Sequence, residues 1–262
     1  MSIFASMIGI FDSGSGGLSV LREILKILPK EKYFYYADNA FCPYGEKTPG
    51  FIQSRGRAIT DFLLSKGADI IVVACNTATA AAISTLRKEY PIKFIGMEPA
   101  VKPAALSSES GVIGVLATAG TLKGSKYLTT KGLYEDNVKI AEHVGKGFVE
   151  LVESGTLDGP VAEATVRESL QPLLDEGADR IVLGCTHYPF LREVIERIAG
   201  PSVQVIDPAP AVARHMMDVM VEESLIKEDG GPEIPDIQLV ASGDDSSARS
   251  LLERITRSKD KC

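Results

Sequence analysis

Apolar positions along the chain alternate between two rhythms. Short unbroken runs such as Ile8-Gly9-Ile10-Phe11, Ile70-Ile71-Val72-Val73 and Ile181-Val182-Leu183 read as strands buried on both faces of a parallel sheet. Between them lie longer stretches with apolar residues at helical spacing, as at Leu18, Leu21, Ile24, Leu25 and Leu28. This alternation predicts an α/β fold built from βαβ units. Strands are expected over 8–11, 33–38, 70–73, 92–95, 111–118, 139–141, 180–184, 203–207 and 237–243. Helices are expected over 18–28, 52–66, 77–89, 125–131, 161–176, 190–198, 209–223 and 248–257. The loop 39–48 has the turn chemistry of a lid, and the Pro/Gly-rich 227–235 reads as a loop or linker.

The pattern is used twice. Gly67-Ala68-Asp69-Ile70-Ile71-Val72-Val73-Ala74-Cys75-Asn76-Thr77 returns as Gly177-Ala178-Asp179-Arg180-Ile181-Val182-Leu183-Gly184-Cys185-Thr186-His187. The start of the chain returns at 111–118, with Ala117 where Asp12 stood and Thr118 where Ser13 stood. Pro99 and Pro103 suggest a change of domain between the halves. The fold expected is two similar open α/β domains with mainly parallel sheets, pseudo-twofold related, and an active site in the cleft between them. Residues 1–97 with 208–262 would form the first domain and 98–207 the second. The βα unit left over at the end is expected to rejoin the first sheet.

Composition narrows the function. A formal net charge of −7 without a Lys/Arg cluster argues against nucleic acid as a partner. No apolar stretch approaches the roughly 18 residues of a membrane span. The opening residues lack the basic start of a signal peptide, so a cytoplasmic protein with cysteines as thiols is expected. The Gly-rich turn at 14–17 matches neither a P-loop nor a dinucleotide fingerprint, and reads as a tight turn beside a ligand. With only three His, of which His143 and His215 stand alone, no metal site and no cofactor is expected.

The chemistry falls to the cysteines. Cys75 and Cys185 would each end a buried strand, where open α/β sheets bind ligands, and each would face the positive end of the following helix. Two thiols in matching positions suit the inversion of a carbon stereocentre, in which one group removes a proton and another returns one to the opposite face. Asp12 reads either as a helix cap or as a carboxylate reaching toward Cys75. His187 stands two residues beyond Cys185. Glu150 and Glu153 would share one helix face, usually a solvated one.

Six segments in register, Asp12-Ser13-Gly14, Pro43-Tyr44-Gly45, Ala74-Cys75-Asn76-Thr77-Ala78-Thr79, Glu98-Pro99-Ala100, Gly120-Thr121 and Gly184-Cys185-Thr186-His187-Tyr188-Pro189, resemble the glutamate racemases, of the cofactor-independent aspartate/glutamate racemase family. The resemblance implies interconversion of L- and D-glutamate, supplying D-glutamate for peptidoglycan. It gives Cys75 to D-glutamate and Cys185 to L-glutamate, with Asp12 and Glu153 as assisting carboxylates, His187 as helper of the second thiol and Asp38 as a further carboxylate. Ser13, Pro43, Tyr44, Gly45, Asn76, Thr77, Thr118, Thr121 and Thr186 match substrate-holding positions. Hydroxyls, amides and helix N-termini would bind the anionic glutamate without formal charge. The short leading segment leads us to expect no activation by a cell-wall precursor, and the resemblance leaves a homodimer open. Three other readings stand beside it: an aspartate or hydantoin racemase on the same plan, a thiol hydrolase using Cys185 and His187, and a binding module without chemistry.

Overall fold

In the computed structural model, residues 6–226 and 234–257 are described. The expected leaderless opening at 1–5 and most of the 227–235 linker lie outside them. In chain order the first elements are β1 (Met7–Asp12), α1 (Leu18–Ile27), β2 (Lys32–Ala37), α2 (Pro49–Ser65), β3 (Ile70–Val73), α3 (Asn76–Glu89) and β4 (Lys93–Ile95). Next come α4 (Val101–Ser107), β5 (Val112–Ala117), α5 (Ala119–Leu122), α6 (Ser125–Gly132), β6 (Lys139–Val144), α7 (Phe148–Glu153), α8 (Pro160–Asp175), β7 (Arg180–Gly184), α9 (Arg192–Ala199) and β8 (Gln204–Ile206). The last are α10 (Ala209–Glu222), β9 (Asp236–Ala241) and α11 (Ser246–Arg257). Short 3₁₀ turns cover Asn39–Phe41, Tyr44–Glu46 and Tyr188–Leu191.

The elements fall into two compact units. The described residues up to Met97, with those from Ala209 onward, form the first, and Glu98–Pro208 form the second. The first unit holds a sheet in the order β4-β3-β1-β2-β9, the second a sheet in the order β6-β5-β7-β8, and every pairing is parallel. Read from one edge, 4-3-1-2 of the first matches 8-7-5-6 of the second. β9 adds an outer strand beside β2, and its exposed and half-buried residues are those of an edge. β3, by contrast, is buried at all four positions, which its unbroken Ile-Ile-Val-Val requires.

The repeated Gly-Ala-Asp has a backbone explanation. Gly67 at φ +85° and Gly177 at φ +86° take the left-handed conformation that ends α2 and α8. The N–H of Gly67 donates to Leu64 and that of Ala68 to Leu63; those of Gly177 and Ala178 donate to Leu174 and Leu173. This double bond pattern closes a helix and turns the chain into the next strand. Asp69 then donates its N–H to Met7 and Asp179 to Val112, starting each central pairing. The carboxylates fix the neighbouring strand's approach: Asp69 accepts from the Met7 N–H, and Asp179 from Ser108 Oγ and the N–H groups of Glu109 and Ser110.

Several boundaries differ from the sequence reading. α4 lies where the sequence reading had no helix, and Pro103 sits in its first turn, where a missing N–H costs nothing. β6 runs on through Glu142 and His143 because it is an edge strand, where polar side chains reach solvent. The helix expected over 190–198 begins at Arg192 as α9, because the 3₁₀ turn Tyr188–Leu191 covers its first two positions.

Candidate functional site

In the first unit, the carboxyl ends of β1 and β3 carry Asp12, Ser13, Cys75, Asn76 and Thr77, all buried. Cys75 is the N-cap of α3, and its sulfur accepts the Ala78 N–H at 3.4 Å. A donor at the positive end of a helix favours negative charge on that sulfur. Cys75 Sγ lies 3.8 Å from Ser13 Oγ, which is 3.1 Å from Asp12 Oδ1. The Asp12 carboxylate also accepts the N–H groups of Ser13 and Gly17, so it closes the Gly-rich turn as well as reaching the thiol through Ser13. The turn has no room for a side chain at Gly17, where a Cβ would stand 2.8 Å from Tyr35 Oη and 2.9 Å from Asp12 Cβ. Tyr35 itself donates to Gly14 O at 2.9 Å.

Asn76 opens α3 beside the thiol. It is buried, and neither atom of its amide has a hydrogen-bond partner among the described residues. A buried amide with both groups unspent is costly in isolation, and its donor and acceptor are open to a polar ligand. Tyr44 is buried in the same apolar cluster as Cys75, with Pro43 and Gly45 half-buried on either side. Burial, the hydrogen bond to Asp38 and its charge push the Tyr44 phenol well above its usual range, so it remains a donor. Asp38 is held by Tyr44 and, on both oxygens, by Arg55.

The second unit meets its thiol differently. The position matching Asp12 is Ala117, and a Cβ on Gly184 would lie 2.6 Å from that alanine's Cβ. No strand-end carboxylate stands there. Instead His187 Nδ1 is 3.7 Å from Cys185 Sγ, and His187 Nε2 is 2.7 Å from Glu153 Oε1. An ionised carboxylate only accepts, so Nε2 donates to Glu153; in the neutral imidazole this turns the Nδ1 lone pair toward the thiol. Glu150, on the same helix α7, is exposed. Thr118 Oγ1 accepts the Thr121 N–H and lies 3.0 Å from Thr121 Oγ1 at the end of β5; Thr186, beside Cys185, is buried.

One expectation changes here. Cys75 does precede a regular helix, but Cys185 precedes a 3₁₀ turn containing Pro189. With little aligned helix behind it, the second thiol has an imidazole where the first has a helix N-terminus.

A family model described as Asp/Glu/hydantoin racemase matches residues 8–216. The chain belongs to that family. As a racemase it is an isomerase, and its relatives agree over most of their length. It is similar to the glutamate racemase of Methylococcus capsulatus, 49% identical over 219 residues that cover 84% of this chain and 81% of that protein. Glutamate racemase isoform RacE1 from Bacillus anthracis has a crystal structure that matches with a TM-score of 0.84 and 32% identity, covering 95% of this chain and 93% of that one. Escherichia coli glutamate racemase, crystallised with L-glutamate and the activator UDP-MurNAc-Ala, matches with a TM-score of 0.82 and 31% identity over 97% of this chain and 95% of that one.

Within the racemase, sequence reasoning passed over three supporting side chains. Tyr35 reads as packing from its aromatic neighbours, yet its hydroxyl holds the Gly-rich turn. Tyr188 packs edge-on against Phe148 at 4.9 Å and donates to Gly145 O at 3.3 Å, tying α7 to the turn after Cys185. Arg55 lies on a helix with no motif of its own. Only Tyr188 had a signal, its place directly after His187.

Proposed function

We propose that the chain interconverts L- and D-glutamate by a two-base proton transfer at Cα, and so supplies D-glutamate for peptidoglycan. Cys75 exchanges the proton of D-glutamate and Cys185 that of L-glutamate. The observation carrying this reading is that both cysteines stand at the same step of a repeated βα unit, each with its own proton-handling partners. Asp12 and Ser13 serve the first, and His187 with Glu153 the second. In either direction one thiolate takes the Cα proton while the other group, as thiol, returns a proton to the opposite face. Matched chemistry at the two sulfurs is what a reversible inversion needs. The transfer runs through side chains alone and calls on no cofactor.

Glutamate is favoured over aspartate by the relatives above, whose names give glutamate as their substrate. The Asn76 amide, the Ser13, Thr77, Thr118, Thr121 and Thr186 hydroxyls and the helix N-terminus at Cys75 are suited to its carboxylates. The three cysteines among the described residues stand outside disulfides, which fits a reducing cytoplasm, and no helix among those residues is long and apolar enough to cross a membrane.

The test is incubation with each enantiomer of glutamate and of aspartate in deuterium oxide. Racemisation of glutamate with deuterium entering Cα supports the proposal. Equal or faster turnover of aspartate removes the substrate assignment, and exchange with neither acid removes the reaction. The Cys185–His187–Glu153 line favours one second reading, a thiol hydrolase. An acyl-enzyme trapped on Cys185, unaffected by loss of Cys75, would establish that reading instead.

A further inference from the structure

The segment after β2 is held by one side chain of α2. Arg55 Nε is 2.8 Å from Asp38 Oδ2 and Nη2 is 2.7 Å from Oδ1, a two-pronged pair on a carboxylate with 0% exposure. The same guanidinium carbon lies 4.4 Å from the centroid of the Phe41 ring. Tyr44 donates its hydroxyl to Asp38 Oδ2, the oxygen that Arg55 Nε also reaches. Two points of the 38–44 stretch, Asp38 and Phe41, therefore meet Arg55 directly, and Tyr44 joins them through Asp38. The 3₁₀ turn that carries Tyr44 packs on α3, the helix capped by Cys75.

A carboxylate committed on both oxygens to a guanidinium is an anchor rather than an acid or base for substrate. Lysine would not replace its partner. It offers a point charge, whereas the flat guanidinium bonds both oxygens and lies over an aromatic face.

We infer that Arg55 is a positioning residue for proton transfer at Cys75: through Asp38 it sets the place of Tyr44, and with it the wall beside that thiol. This rests on the two-thiol reading above. Displacing such a wall by about an ångström is enough to cost up to about 100-fold in rate.

The test compares the wild-type chain with Arg55→Lys, Arg55→Ala and the double variant Arg55→Ala/Asp38→Asn. Melting temperature, kcat, KM and the primary isotope effect with Cα-deuterated D- and L-glutamate are measured for each. The two enantiomers are equally stable, so kcat/KM must fall alike in both directions; the side affected is read from the isotope effects. Arg55→Ala should lower kcat/KM about 10- to 100-fold, with Arg55→Lys in between. The isotope effect should rise for the enantiomer whose proton Cys75 removes and fall for the other. Arg55→Ala leaves Asp38 as an unpaired buried charge and should melt earlier. The double variant should recover melting temperature while keeping the lopsided isotope effects. Kinetics that return to wild type together with stability, or isotope effects that move equally for both enantiomers, would overturn the inference. A wild-type chain that exchanges Cα hydrogen with neither enantiomer would overturn the two-thiol reading, and this inference with it.

Discussion

Cys75 and Cys185 stand on equivalent strands, yet their surroundings differ in kind. Around Cys75 the help comes from groups fixed at the strand ends and the helix start: the Ala78 N–H at the head of α3, the Ser13 hydroxyl, and an Asp12 carboxylate built into a turn. Around Cys185 it comes from an imidazole and a carboxylate on two separate elements, the turn after β7 and helix α7. Repetition of the fold has kept the sulfur's place and let its electrostatics be rebuilt. A strand-end residue contributes to this, beside the helix that follows Cys75 and the 3₁₀ turn that follows Cys185. Where the first unit has Asp12, the second has Ala117 packed close on Gly184, so the carboxylate has to arrive from elsewhere.

The largest expected effect tests whether both halves share one reaction. Cys75→Ser and Cys185→Ser should each lower kcat by about 10²–10⁴-fold or more, because each removes an acid/base group from one face. Loss in only one of them, measured by the racemisation assay, breaks the symmetry the proposal needs. Next come the partners. His187→Asn and Asp12→Asn should each slow turnover by about 10²-fold, with isotope effects displaced toward opposite enantiomers. Asp12→Asn should also melt earlier, since backbone donors aimed at a carboxylate are worth about 1.5–3 kcal/mol. Displacement toward the same enantiomer would show that the two partners do not serve separate thiols.

Smaller effects probe the shared frame. Gly67→Ala and Gly177→Ala should cost about 1–2 kcal/mol each and the same amount, because both residues are left-handed. A Cβ would meet nothing within 4 Å at either, so the cost is conformational alone. Denaturant melts giving unequal losses would show that the two helix ends are not equivalent. The smallest effect concerns Asp179. Burial opposes its charge, but the Ser108 hydroxyl, the Ser110 and Glu109 N–H groups and Arg180 hold its carboxyl below the usual range. A depressed folded pKa means stability that is present above the unfolded value, about 3.9, and lost as pH falls through the folded one. Asp179→Asn should therefore cost about 1 kcal/mol near neutrality, reduced by solvent screening at this partly exposed site. Its stability should also fall less steeply on acidification, which melting curves across acid pH will show.

Much of this molecule is local chemistry and could be read directly. Short Val/Ile runs bounded by turn residues read as strands buried on both faces, glycine is needed where α2 and α8 turn left-handed, and a repeated Gly-Ala-Asp announces a repeated βα corner. The elements read incorrectly are those whose neighbours decide them. α4 went unread beside Pro99 and Pro103, although Pro103 falls in its first turn, where a missing N–H costs nothing. Glu142 and His143 stay in a strand because that strand is an edge. Phe190 begins no helix because a 3₁₀ turn already occupies its place.

The chain's order of residues was enough to determine two parallel α/β units, with a cysteine ending a central strand of each, since burial and backbone conformation act over a few neighbouring positions. Only the tertiary structure decided which groups those sulfurs meet. It set His187 between Cys185 and Glu153, relayed Asp12 to Cys75 through Ser13, and closed Arg55 over Asp38. Hydrogen bonds and ion pairs are directional and act over a few ångströms, so their partners are settled by how elements pack and leave no period in the sequence.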